Sequence, residues 1–100
     1  MKSIITAAVL LLASGPTLAG DAAKGKGLYM SKGCVGCHGM NGKSNNEQMY
    51  PSIAGRGAGF ISASIAEFQS GKRSNPMMSP MAMAVNEAET ADIDAFLAGK

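Results

Sequence analysis

Apolar positions along the chain fall into a few stretches separated by polar, glycine-rich segments. The first, Ile4 to Ala13, is continuous rather than periodic; it follows a lone basic residue, Lys2, and is broken by Ser14-Gly15-Pro16. Thr17 and Ala19 then place small residues three positions and one position before a cut, which predicts an export signal over residues 1–19, cleaved after Ala19. The run is too short for a membrane anchor, since a bilayer core takes about twenty apolar residues. The remainder, Gly20 to Lys100, reads as one small domain.

Within that domain the apolar spacing is helical. Asp21 is a good N-cap for a helix from Ala22 to about Lys32, whose apolar side is Leu28 and Tyr29. Gly25 and Gly27 each weaken it by up to about 1 kcal/mol relative to Ala, so both predict a close backbone contact. Gly33 ends it. A second helix from Phe60 to about Gln69 carries Ile61, Ile65 and Phe68 on one face and stops at Ser70-Gly71. A third begins at Asn86, which forms a capping box with Glu89, and runs to about Ala98 with Ile93, Phe96 and Leu97 as its buried stripe.

The intervening segments read as irregular. Gly39 to Tyr50 is polar with an Asn41-Gly42 turn, and Pro51-Ser52-Ile53-Ala54-Gly55 excludes a regular helix. Asn75 to Val85 holds Met77, Met78, Met81 and Met83 around Pro76 and Pro80, and the prolines predict an extended loop. No stretch alternates as a strand would, so the fold class is all-α.

Composition narrows the picture. A domain of this size is near the limit at which side chains alone make a sufficient core, and the chain has no Trp, two Tyr and three Phe. A buried prosthetic group would supply the missing apolar bulk. The formal net charge is +2 and falls towards neutrality once Lys2 is lost, which excludes the strongly basic face of a nucleic-acid binder.

The chemistry is concentrated in Cys34-Val35-Gly36-Cys37-His38. This spacing is the attachment sequence for a c-type haem. Each thiol can add across one porphyrin vinyl group, and the adjacent histidine can ligate the iron as the proximal imidazole. A zinc site wants four Cys or His ligands, and the chain has two cysteines and one histidine. A thioredoxin-like redox pair wants a βαβ setting that is not present. Export favours haem attachment, while it also leaves a structural disulfide open. Motif and setting together favour one covalent haem c, held by Cys34, Cys37 and His38.

With these pieces in place, Gly20 to Lys100 resembles a small bacterial class I cytochrome c, of the monohaem periplasmic c-553 and diheme-cytochrome type. The resemblance is carried by the glycine–aromatic first helix, by Cys34 to Gly39, by Pro51 to Gly55, by Asn75 to Met81, and by the last helix ending in an aromatic residue. It implies three main helices around one covalently bound haem. It implies that Gly25 and Tyr29 cross the last helix at Ile93 and Phe96. It implies that the Pro51 carbonyl accepts a hydrogen bond from His38 Nδ1, orienting the imidazole. It also implies a methionine as distal iron ligand: Met78 falls at the family's position, with Met81 the next candidate.

The implied function is periplasmic one-electron transfer between redox protein partners. The alternative is a haem-bearing subunit of an oxidoreductase complex, such as flavocytochrome c sulfide dehydrogenase with its flavoprotein chain. A ligand sensor would need an open or displaceable sixth position. The pattern shows no acid–base pair or nucleophile, so the chain on its own is not read as an enzyme. No membrane insertion is expected after signal cleavage.

Overall fold

The computed structural model describes residues 20–100; the export signal read over residues 1–19 lies outside the described residues. In chain order the helices are α1 Ala22–Ser31, α2 Cys34–His38, α3 Phe60–Ser70, α4 Met78–Met83 and α5 Glu87–Ala98, with a 3-10 turn at Met40–Gly42. The described residues contain no strand. The fold is all-α, and α1, α3 and α5 are its three main helices.

Two of these helices meet at a backbone-to-backbone crossing. A Cβ placed on Gly25 would lie 1.9 Å from the Asp92 carbonyl oxygen and 2.9 Å from Phe96 Cβ. Only a residue without a side chain lets α1 approach α5 that closely. One turn on, Tyr29 is 1% exposed, and its ring tilts against Phe96 at a centroid distance of 5.6 Å. Gly27 has no neighbour within 4 Å of a built Cβ, so of the two glycines in α1 only Gly25 marks a contact.

The core joins Tyr29 of α1, Ile61 of α3, Val85, and Ile93, Phe96 and Leu97 of α5, with Leu28, Ile53 and Ile65 packed around it. The α3 stripe is buried unevenly. Ile61 is inside and Phe68 is half-buried, its outer face covered by the Arg73 guanidinium at 4.6 Å.

Polar groups on α5 tie the other helices to it. Asp92 accepts a hydrogen bond from the Asp21 N–H at 2.7 Å, just where α1 begins. Asp94, 6% exposed, accepts from the N–H groups of Gly59 (3.0 Å) and Ser62 (2.9 Å). α3 starts from Gly59 and has no cap of its own. The Asp94 carboxylate satisfies donors that a helix start leaves unpaired, and its charge suits the positive end of the helix dipole. The expected capping box of α5 is present, with Asn86 and Glu89 exchanging bonds of 2.8 and 3.0 Å.

The methionine segment departs from the extended loop that its prolines predicted: Met78–Met83 is helical. Pro80 is the third residue of α4, within the first turn, where N–H groups have no intrahelical partner and the missing donor of proline removes no bond. The helix is started by Asn75, whose Oδ1 accepts from the N–H groups of Met77 (2.8 Å) and Met78 (2.9 Å).

Candidate haem-attachment site

Cys34 to His38 forms a single helical turn. Gly33, at φ 85°, takes the left-handed conformation that ends α1 and lets α2 set off in a new direction. In a helical turn residues three and four apart share a face, so Cys34, Cys37 and His38 project together. The two cysteines are unpaired thiols, both partly buried. Burial, aided slightly by Cys37, pushes the Cys34 thiol above its ordinary pKa.

His38 is oriented by its neighbour in space. Its Nδ1 lies 2.7 Å from the Pro51 carbonyl oxygen. A carbonyl only accepts, so Nδ1 carries the proton and Nε2 keeps its lone pair. That is the tautomer a metal-ligating histidine uses. The donor set and its tautomer therefore fit an axially ligated haem iron.

The Pro51 carbonyl is itself fixed. Glu47 accepts from the Ser52 N–H at 2.9 Å and from the Ser52 hydroxyl, and these two bonds hold its carboxyl below the usual carboxylate range. Ser52 Oγ also accepts from the Ser44 N–H at 2.9 Å. Further along, the N–H groups of Ile53 and Ala54 donate to the Gly42 carbonyl at 2.8 and 3.2 Å. Behind the motif, the Tyr29 hydroxyl donates to the Gly39 carbonyl at 2.5 Å. Burial, with Cys34 nearby, pushes the Tyr29 phenol up to about 12, against a smaller opposing effect from a Gly42 backbone bond. It stays a donor across the physiological range.

The methionines are not equivalent. Met77, Met81 and Met83 are 55%, 39% and 67% exposed, whereas Met78 is partly buried. Met81 folds back, its Cε lying 3.4 Å from a Cβ built on Gly33. α4 therefore lies alongside the junction that leads into Cys34.

Several residues that shape the site carried no recognisable sequence signal as single positions. Gln69 donates from Nε2 to the carbonyls of Ala82 (2.9 Å) and Val85 (3.0 Å). Lys32 donates to the Ala84 carbonyl at 3.0 Å and lies 3.5 Å from Glu89. One trace of Gln69 was visible: it continues the Ile61–Ile65 spacing by another four residues, a polar group in line with an apolar stripe.

Comparison with known proteins agrees with this geometry. The cytochrome c family model matches residues 22–99. The chain is 35% identical over 81 residues to cytochrome c-554(548) of Halomonas halodenitrificans, covering 78% of this chain and 94% of that protein. It is 36% identical over 85 residues to the cytochrome subunit of sulfide dehydrogenase of Chlorobaculum tepidum, covering 75% of this chain and 76% of that one. Among solved structures, cytochrome c4 of Acidithiobacillus ferrooxidans superposes with a TM-score of 0.73 at 26% identity. The match takes in 88% of this chain and 54% of the cytochrome c4 chain, so the molecule spans about half of that relative.

Proposed function

The chain belongs to the cytochrome c family and is an electron-transfer protein, and we propose that it works as a periplasmic one-electron carrier with a single covalent haem c. The observation that carries this reading is the His38 Nδ1 to Pro51 bond beside two free thiols on one helical turn. When bound, the haem supplies one-electron exchange between Fe(II) and Fe(III).

Cys34 and Cys37 would hold the haem through thioether links to its two vinyl groups, and His38 Nε2 would be the proximal ligand. Met78 would be the distal ligand, supported by its partial burial and by the way Asn75 fixes its N–H. Met81, more exposed and turned onto Gly33, is the alternative. His38 is the only histidine, so a second imidazole from this chain is excluded. A thioether ligand raises the potential relative to bis-histidine ligation. Ligands on both faces leave no position for a substrate.

Export through the signal over residues 1–19 accounts for periplasmic assembly. The cut after Ala19 is supported by Gly20, which is already seated on α5: a Cβ there would lie 2.1 Å from the Ala91 carbonyl oxygen. No helix among the described residues is long and apolar enough to cross a membrane. A second reading, a haem subunit bound to a flavoprotein chain, is favoured by the likeness to the sulfide dehydrogenase cytochrome subunit. A stable complex with a flavoprotein on gel filtration of the native protein would select it over the free carrier.

The test of attachment is acid-acetone extraction. The haem should stay on the polypeptide, and colour passing into the organic phase would refute the central reading.

A further inference from the structure

The methionine helix is too short to hold its own place. Six residues give α4 few internal bonds, and the last four carbonyls of any helix have no intrahelical partner. Here backbone bonds from Ala84 to Met81 and from Val85 to Ala82 close the turn, and side chains from other helices bond the carbonyls at and just past the end of α4. Gln69, in the last turn of α3, reaches Ala82 and Val85. Lys32, just past α1, reaches Ala84. The Gln69 amide has two N–H donors and meets two carbonyl oxygens at 2.9 and 3.0 Å, so its donor capacity is fully used.

Both ends of α4 are therefore pinned by polar side chains: Asn75 at the start, Gln69 and Lys32 at the finish. The buried anchors at this end are Ala82 and Val85, 0% and 6% exposed. The methionines themselves contribute little packing, since Met81 and Met83 are open to solvent. The orientation of the Met78 side chain thus depends on what fixes the helix axis.

We propose that Gln69 is a positioning residue for the distal ligand: by clamping the Ala82 and Val85 carbonyls it holds α4 so that the Met78 sulfur stays on the iron. This rests on the assignment of Met78 made above. Loss of the clamp leaves the Val85 carbonyl without a donor and the Ala82 carbonyl with only a long bond of 3.4 Å from the Val85 N–H, which favours arrangements of α4 that let water in and swing Met78 away. Lys32 is the auxiliary clamp. Its ammonium is shared with Glu89, so it contributes less.

Two variants of similar size separate positioning from packing. Gln69→Glu replaces both donors by an acceptor facing two carbonyls, and Gln69→Leu removes them with an apolar group. Each haem-loaded variant is titrated in the ferric state with imidazole, and its reduction potential is measured alongside its melting temperature. Both should bind imidazole at least about tenfold more tightly than the wild type, equivalent to about 1.4 kcal/mol lost from the closed site. The potential should fall in parallel.

Met78→Ala provides the reference for a fully open site. If Met78→Ala opens the site while both Gln69 variants keep wild-type imidazole affinity and potential, the clamp is refuted and the ligand assignment stands. A lower melting temperature alone would equally refute positioning, since a purely structural role predicts that result. If Met78→Ala itself keeps wild-type affinity, the ligand assignment falls and takes the clamp's stated target with it.

Discussion

The α1–α5 crossing and the methionine helix are secured by opposite means. At the crossing, Gly25 lets two long helices touch through their backbones, and Tyr29, Phe96 and Leu97 fill the space around the contact. The start of α1 is tied to α5 by the bond from the Asp21 N–H to Asp92, on the exposed side. α4 is the reverse case. It is six residues long, exposes methionines, and is held at each end by side chains bonding to backbone. A contact made by close packing is lost only if the helices separate. One made by a few polar bonds can open locally, at a cost well below that of global unfolding. The crossing keeps the fold, while α4 carries Met78, the proposed distal ligand.

The sharpest way to break the comparison is at the crossing. Gly25→Leu should destabilise the haem-loaded protein globally. Overpacking usually costs about 1–3 kcal/mol, and the upper end is expected because the obstacle is the Asp92 carbonyl rather than a yielding side chain. Denaturant unfolding followed in the far ultraviolet reads this directly. An unchanged midpoint would mean that the helices do not meet at Gly25.

A smaller, local effect is expected from Asn75→Ala. It removes the acceptor for two N–H groups at the head of α4, and loss of such a cap costs about 1 kcal/mol. Hydrogen exchange should quicken at Met77 and Met78 and hardly change at Tyr29 or Ile93. Uniform quickening across the chain would show that α4 is not a separate unit.

The smallest effect on stability is expected from Lys72→Glu combined with Arg73→Glu. Both residues are exposed, and the change should stay within about 1 kcal/mol even though Arg73 lies 3.6 Å from Glu67 and covers Phe68. The reading of interest is kinetic. If these charges steer an acidic redox partner, stopped-flow reduction should slow at low ionic strength and recover towards wild type as salt screens the charges. Equal rates at low salt would exclude this patch as the docking surface and leave electron transfer by the haem untouched.

Much of the molecule was legible because the signals were local. Asn86 and Glu89 state a capping box within four residues, Gly33 states a helix end, and Cys34 to His38 carry the spacing that, with its setting, points to haem attachment. The methionine segment was misread for a related reason. Pro76 and Pro80 are local breakers, and only the start of the helix at Met78, held by Asn75, shows that Pro80 falls in a first turn, where a missing N–H removes no bond.

The sequence by itself indicated the all-α class and the haem-binding chemistry, because each depends on residue types at short separations, whereas Met78 as distal ligand came from the resemblance to a family. Only the tertiary structure decided that Gly25 and not Gly27 touches α5, that Asp94 caps α3, and that Gln69 and Lys32 hold the end of α4. Each of these joins residues far apart in the chain through a carbonyl, an N–H or a bare Cα. Every residue carries such backbone groups, so no residue type announces them; they acquire partners only once the helices are in place.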